Sequence, residues 1–89
     1  MSDVVQAPVT PGLTAFSAGD GSGRPLFRVE QGIPCKHARE HASELLGSVR
    51  RLTFLGVMES DTDLAWAGYY LAGMAKALLD DAELGMNQD

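Results

Sequence analysis

The sequence predicts a mainly α protein: an antiparallel helical hairpin behind a short N-terminal extended segment or strand, dimerising into a four-helix bundle. Three observations lead there. Two long stretches, 33–59 and 62–84, carry apolar residues at helical spacing and are separated only by the turn "ESDTD". The second contains "LAWAGYYLAGMAKALL" (64–79), where Lys76 is the lone charge, so it is apolar or small on nearly every side. The chain has 89 residues and one cysteine. A domain of that size buries only about 60% of its unfolded surface, and small scaffolds commonly need a disulfide, a metal or a second subunit.

Residues 1–24, "MSDVVQAPVTPGLTAFSAGDGSGR", show turn-forming Pro, Gly and Ser with sparse apolar residues and no sustained period, which reads as a disordered tail. From there a helical hairpin domain is expected over 25–85, with a frayed end at 86–89. In "PLFRVEQG" (25–32), Phe27 and Val29 alternate with Arg28 and Glu30 between Pro25 and Gly32, the pattern of a short half-exposed strand over 25–31. Nothing else in the chain reads as a strand. Its backbone partner is therefore expected to be its own copy in a dimer, or else the segment lies extended across the helices.

The first helix is expected over 34–58, with Pro34 at a first-turn position where a missing N–H costs nothing. Ala38, Ala42, Leu45, Val49, Leu52 and Gly56 make its dry seam, while Lys36, Arg39, Glu40, Ser43, Gly47, Arg50 and Arg51 form a wet face. The second helix is expected over 62–84. Ser60 with Asp63, or Asp61, would cap its start, and Gly85 would terminate it. A link this short makes the two helices antiparallel neighbours.

One neighbour covers one stripe. On the second helix Leu64, Ala67, Leu71, Met74 or Ala75, Leu78 and Ala82 can meet the first helix, leaving Trp66, Tyr70, Gly73 and Ala77 to face water. Exposed apolar surface of that kind marks an interface. Trp66, Tyr70, Gly73 and Ala77, with Phe27 and Val29 of the extended segment, are the candidate partner-binding residues. A second copy of the hairpin is the expected partner, with an unidentified protein as the alternative.

Chemistry is thinly represented. Seven Lys and Arg stand against twelve Asp and Glu, a net charge of −5. The basic residues are scattered, which argues against nucleic acid as a partner. The opening "MSDVVQAPVTPG" lacks the basic and apolar regions of a secretory signal, and 64–79 is too short to span a bilayer. The lone thiol suits a reducing compartment, so a cytoplasmic protein without a membrane partner is expected. In "CKHAREH", His37 and His41 share a helix face, and Cys35 or Glu44 could add a ligand; with no second cluster they read as solvated histidines, and no metal or other cofactor is expected. Asp80, Asp81 and Glu83 read as a solvated helix end. "GDGSG" lacks the Lys and Ser or Thr of a phosphate loop, and Ser43 or Ser48 beside His41 has no orienting acid. No catalytic residue is expected.

The stretches "LFRVEQGIPCKHAREHASELLGSVRRL" and "DLAWAGYYLAGMAKALLDDA" resemble a family of short uncharacterised pseudomonad proteins, a domain of unknown function. The shared order is a variable tail, an "LF-x-V" segment, Gly-x-Pro, an "A-S-x-L-L" helix and a Trp-containing helix with "A-K-A-L", covering about residues 26–82. The resemblance implies a bacterial, cytoplasmic protein and brings no activity or catalytic residue. The residues themselves favour a non-enzymatic protein–protein association module, homodimeric and regulatory in type. The rival is a small apolar ligand held between helices near Trp66, Tyr69 and Tyr70.

Overall fold

The computed structural model describes residues 7–16 and 24–87. Two long helices dominate: α1 (Cys35–Glu59) and α2 (Thr62–Met86). They pack against each other as an antiparallel hairpin. Between them Ser60 adopts a left-handed conformation with φ 51°, its N–H pointing back at the Gly56 and Val57 carbonyls. Asp61 then caps α2, accepting from the backbone N–H groups of Asp63 at 2.9 Å and Leu64 at 3.4 Å. Both open ends of the chain reversal are thereby satisfied within two residues.

The helix contact is a seam of alternating size. On α1, Cys35, Ala38, Ala42 and Gly56 are buried, with Leu45, Val49 and Leu52 half-buried between them. On α2, Gly68, Ala75 and Ala82 recur every seventh residue and are buried, while Leu64, Leu71 and Leu78 alternate with them half-buried. Gly68, rather than the expected Ala67, is the buried member of that row. A Cβ on Gly68 would stand 3.2 Å from the Thr53 hydroxyl and 3.9 Å from the Val49 carbonyl oxygen. One on Gly56 would stand 3.3 Å from the Ala65 nitrogen. Small residues thus let the two backbones approach closely. The consequence is a core with little in it: among the described residues the buried apolar ones are Val29, Cys35, Ala38, Ala42, Ala75, Ala77 and Ala82.

The expected tail takes part in the fold. Residues 8–16 run antiparallel to 27–35 as an irregular ribbon. Cys35 N–H donates to the Pro8 carbonyl, Thr10 N–H to Ile33, Gly32 N–H to Thr10 and Val29 N–H to Thr14, all between 2.7 and 2.9 Å. At its end β1 (Ala15–Phe16) pairs with β2 (Phe27–Arg28), and the Phe16 and Phe27 rings stack 5.2 Å apart. The partner of the extended segment therefore comes from within the same chain, not from a second copy. Its donors and acceptors are met by a stretch whose Pro and Gly content had disguised it. Residues 1–6 and 17–23 of that stretch, and 88–89 at the other end, lie outside the described residues.

Gly85 does not terminate α2, which continues to Met86. It is buried beneath the ribbon, and an added Cβ would run into the Val9 carbonyl and stand 2.8 Å from the Cys35 sulfur. Its role is close approach. Gly85→Ala should therefore destabilise the protein by about 1–3 kcal/mol, the range of core overpacking. Gly47→Ala, with nothing within 4 Å of the new methyl, should stabilise it by about 0.5–1 kcal/mol through helix propensity. Urea titrations of the two variants beside the parent check both signs.

Candidate association surface

The row Trp66, Tyr70, Gly73, Ala77, Asp81 follows helical spacing and lies along one flank of α2. The structure divides it in two. At the open end of the hairpin the ribbon lies on it: Ala77, which α1 cannot reach, is only 3% exposed, and Asp81 is fully buried. Towards the turn the same flank is bare, with Trp66 57% and Tyr70 56% exposed. Gly73 stands at the boundary with open space beside it.

Asp81 holds the ribbon down. Its Oδ2 accepts from the Gly12 N–H at 2.8 Å, and its Oδ1 from Leu13 at 2.9 Å and Thr14 at 2.8 Å. Three successive amides converge on one carboxylate, a geometry open to them because Gly12 turns the chain at φ +76°. Burial pushes the Asp81 pKa up. The bonds from Gly12, from the Thr14 backbone and side chain, and from Leu13 outweigh it and hold the carboxyl below its usual range. Thr10, also fully buried, makes a second fastening: its hydroxyl donates to the Glu30 carbonyl at 2.7 Å and accepts from the Ile33 N–H at 3.0 Å.

This corrects the reading of Asp80, Asp81 and Glu83 as a solvated helix end. Asp80 does face outward, paired with Lys76 at 2.7 Å, and Glu83 is exposed. Asp81 is enclosed. No signal in the sequence marked this, because Asp81 lies one turn beyond Ala77 on the row expected to face water.

The bare half carries the aromatic residues. Trp66 meets Tyr69 edge-on with ring centroids 5.6 Å apart and stacks on Tyr70 at 6.0 Å, while the two tyrosines meet at 5.5 Å. An open depression of about 350 Å³ is lined by Thr62, Ala65, Trp66 and Tyr69. Phe54, Val57 and Met58 of α1 are exposed at the same end. Among the expected partner-binding residues, then, Trp66, Tyr70 and Phe27 are at the surface, and Gly73 borders it. Ala77 and Val29 are already covered within one chain, because the ribbon occupies the ground where a partner was expected.

His37 and His41 meet edge-on at 4.5 Å, while Cys35, at the start of α1, is a free thiol buried with Ala38 and Ala82. Among the described residues no group of three or more His, Cys, Asp or Glu is placed to hold a metal ion, and no helix is long and apolar enough to cross a membrane.

A two-helix hairpin clasped at its open end by an N-terminal ribbon is the class of protein these features define. The chain belongs to the DUF3077 family, described as proteins of unknown function, and the match runs over residues 10–85. It therefore takes in the ribbon as well as both helices, a wider span than the 26–82 over which the resemblance was read. No curated protein and no solved structure matches the chain.

Asp81→Asn should lower stability by about 3 kcal/mol, since it removes a charged acceptor and sets an NH₂ group against backbone donors. The sign with pH follows from the lowered carboxyl pKa. Stability from the ionised form is fully present above the ordinary value of 3.8 and is lost as pH falls through the folded value. Denaturant titrations should show the parent losing stability on acidification below 3.8 and Asp81→Asn losing much less.

Proposed function

We propose that the protein is a non-enzymatic association module that pairs with a second copy of itself through the bare, aromatic end of the hairpin. The observation that carries this reading is the mismatch between core and surface. Among the described residues Thr10, Asp81 and Cys35 are the largest fully buried side chains, while Trp66, Tyr69 and Tyr70 stand exposed in ring contact with one another toward the turn, and Phe54, Val57 and Met58 of α1 are exposed as well. Fully burying a large apolar side chain is worth roughly 1.5–3 kcal/mol. Such a chain, with one free thiol, gains most from covering that end with protein. Homodimers are the commonest closed assembly, and two hairpins would complete a four-helix bundle. A regulatory role in the bacterial cytoplasm belongs to this reading, and the single free thiol suits a reducing compartment.

A second reading rests on the depression lined by Thr62, Ala65, Trp66 and Tyr69: a small apolar or aromatic ligand would stack on the indole. Its breadth of opening favours a protein surface over a small molecule, because pockets usually enclose most of their ligand.

Gly73→Glu sets a charge at the middle of the row and should dissociate the assembly. Arg39→Glu, on the opposite side of the hairpin, should not. Light scattering in the low micromolar range decides. A wild type that is monomeric throughout removes the main support for association, and an apolar compound copurifying with that monomer would favour the ligand reading.

A further inference from the structure

We infer that the second copy is seated in one particular way: the ribbon of each chain covers the bare aromatic half of the other, across a two-fold axis passing near Gly73. This rests on the self-association proposed above and specifies its geometry. Three observations carry it.

The first is shape. The α2 flank is half covered and half bare, and Gly73 lies one residue from the midpoint of a helix 25 residues long, about 37 Å. The two halves are thus nearly equal in length. A two-fold axis perpendicular to α2 at Gly73 sets each bare half opposite the partner's ribbon, and the space beside Gly73 lets the two helices meet where they cross. Such a contact is isologous and closed, so it stops at two copies.

The second is the ribbon's exposed apolar side chains. Leu13, Leu26 and Phe27 stay exposed although Thr10 and Val29 of the same ribbon are buried. A ribbon serving only to clasp its own helices would have no use for three large apolar side chains left in water. Area is the third observation. Half-exposed aromatic side chains each present roughly 100 Å², so Trp66, Tyr70 and Phe27 from both copies bring about 600 Å² into contact, to which Leu13 and Leu26, about 60% exposed, add a smaller share. That is the size of a weak, reversible interface, below about 1,200 Å².

The opposite flank offers a competing site. The Arg39 guanidinium reaches the Met86 sulfur at 3.7 Å, which puts Arg39 and Met86 on one side. Leu46 and Leu79, seven residues from each, share that side. A substitution at Leu46 probes it.

Trp66 is the sole tryptophan, so its fluorescence reports the proposed contact directly. Sedimentation and acrylamide quenching would be followed together over a micromolar dilution series of the full chain. The expected result is a dimer in which Trp66 emission shifts to the blue and quenching falls as the chains associate. Phe27→Asp should raise the dissociation constant at least about 30-fold, the size expected for an interface anchor, and return Trp66 to water, although Phe27 lies on the ribbon. Leu26→Asp should do the same without touching the Phe16–Phe27 stack, which guards against a variant that merely misfolds; unchanged helical circular dichroism confirms it. Leu46→Asp should leave association and emission as they were. A dimer in which Trp66 stays fully quenchable, or one broken by Leu46→Asp and not by either ribbon variant, overturns this geometry and leaves self-association standing. A monomer at every concentration overturns both.

Discussion

The closeness of the two helices is the constraint from which the rest of this structure follows. Gly68, Ala75 and Ala82 recur every seventh residue on α2, and Ala38, Ala42 and Gly56 answer them on α1. Residues this small cannot fill a wide interhelical space, so the backbones close until Thr53 and Val49 approach Gly68. That contact excludes water well, but it leaves no volume for large side chains between the helices. The leucines that alternate with the small residues are therefore only half-buried, and the aromatic residues are turned out onto the flanks.

A flat hairpin needs something laid across it, and at the open end the chain supplies this itself. The ribbon is irregular, and Pro8 and Pro11 limit the ladder it can form. Its attachment is consequently polar: Asp81 gathers three amides and Thr10 ties two strands through one hydroxyl. Placing a carboxylate in a fully buried position is costly unless it is well satisfied. Here each oxygen has a backbone donor and no buried side-chain polar atom among the described residues lacks a partner. At the turn end the aromatic cluster remains exposed among the described residues. The proposed pairing treats these two ends as complementary halves of one surface.

The hairpin was legible because a period of 3.5 to 3.6 residues is a local property. The 4-3-4 spacing from Ala38 to Gly56 and the cap at "ESDTD" need only neighbouring residues to be read. So was the surplus of apolar residues on α2, with Trp66 and Tyr70 in it. The ribbon was not legible, since composition is a poor guide to a segment held by a few specific hydrogen bonds. In "APVTPGLTAF" the apolar residues are sparse and the turn formers many, which is also how a mobile tail reads. Nothing in the sequence announces that Asp81, 67 positions from Thr14, is its fastening. Gly85 misled for a related reason: glycine just past a helix usually ends it, and only the crossing of Val9 shows that here it makes room.

By itself, then, the sequence determined two helices, their antiparallel order and the seam along which they meet, because each follows from spacing, capping and link length. Only the tertiary structure decided which half of the α2 flank is covered, which carboxylate is buried and which glycine is a contact. Those outcomes depend on where a distant, weakly patterned segment crosses the helices. Such a crossing is set by a few directional bonds between residues far apart in the chain, and no local period records it.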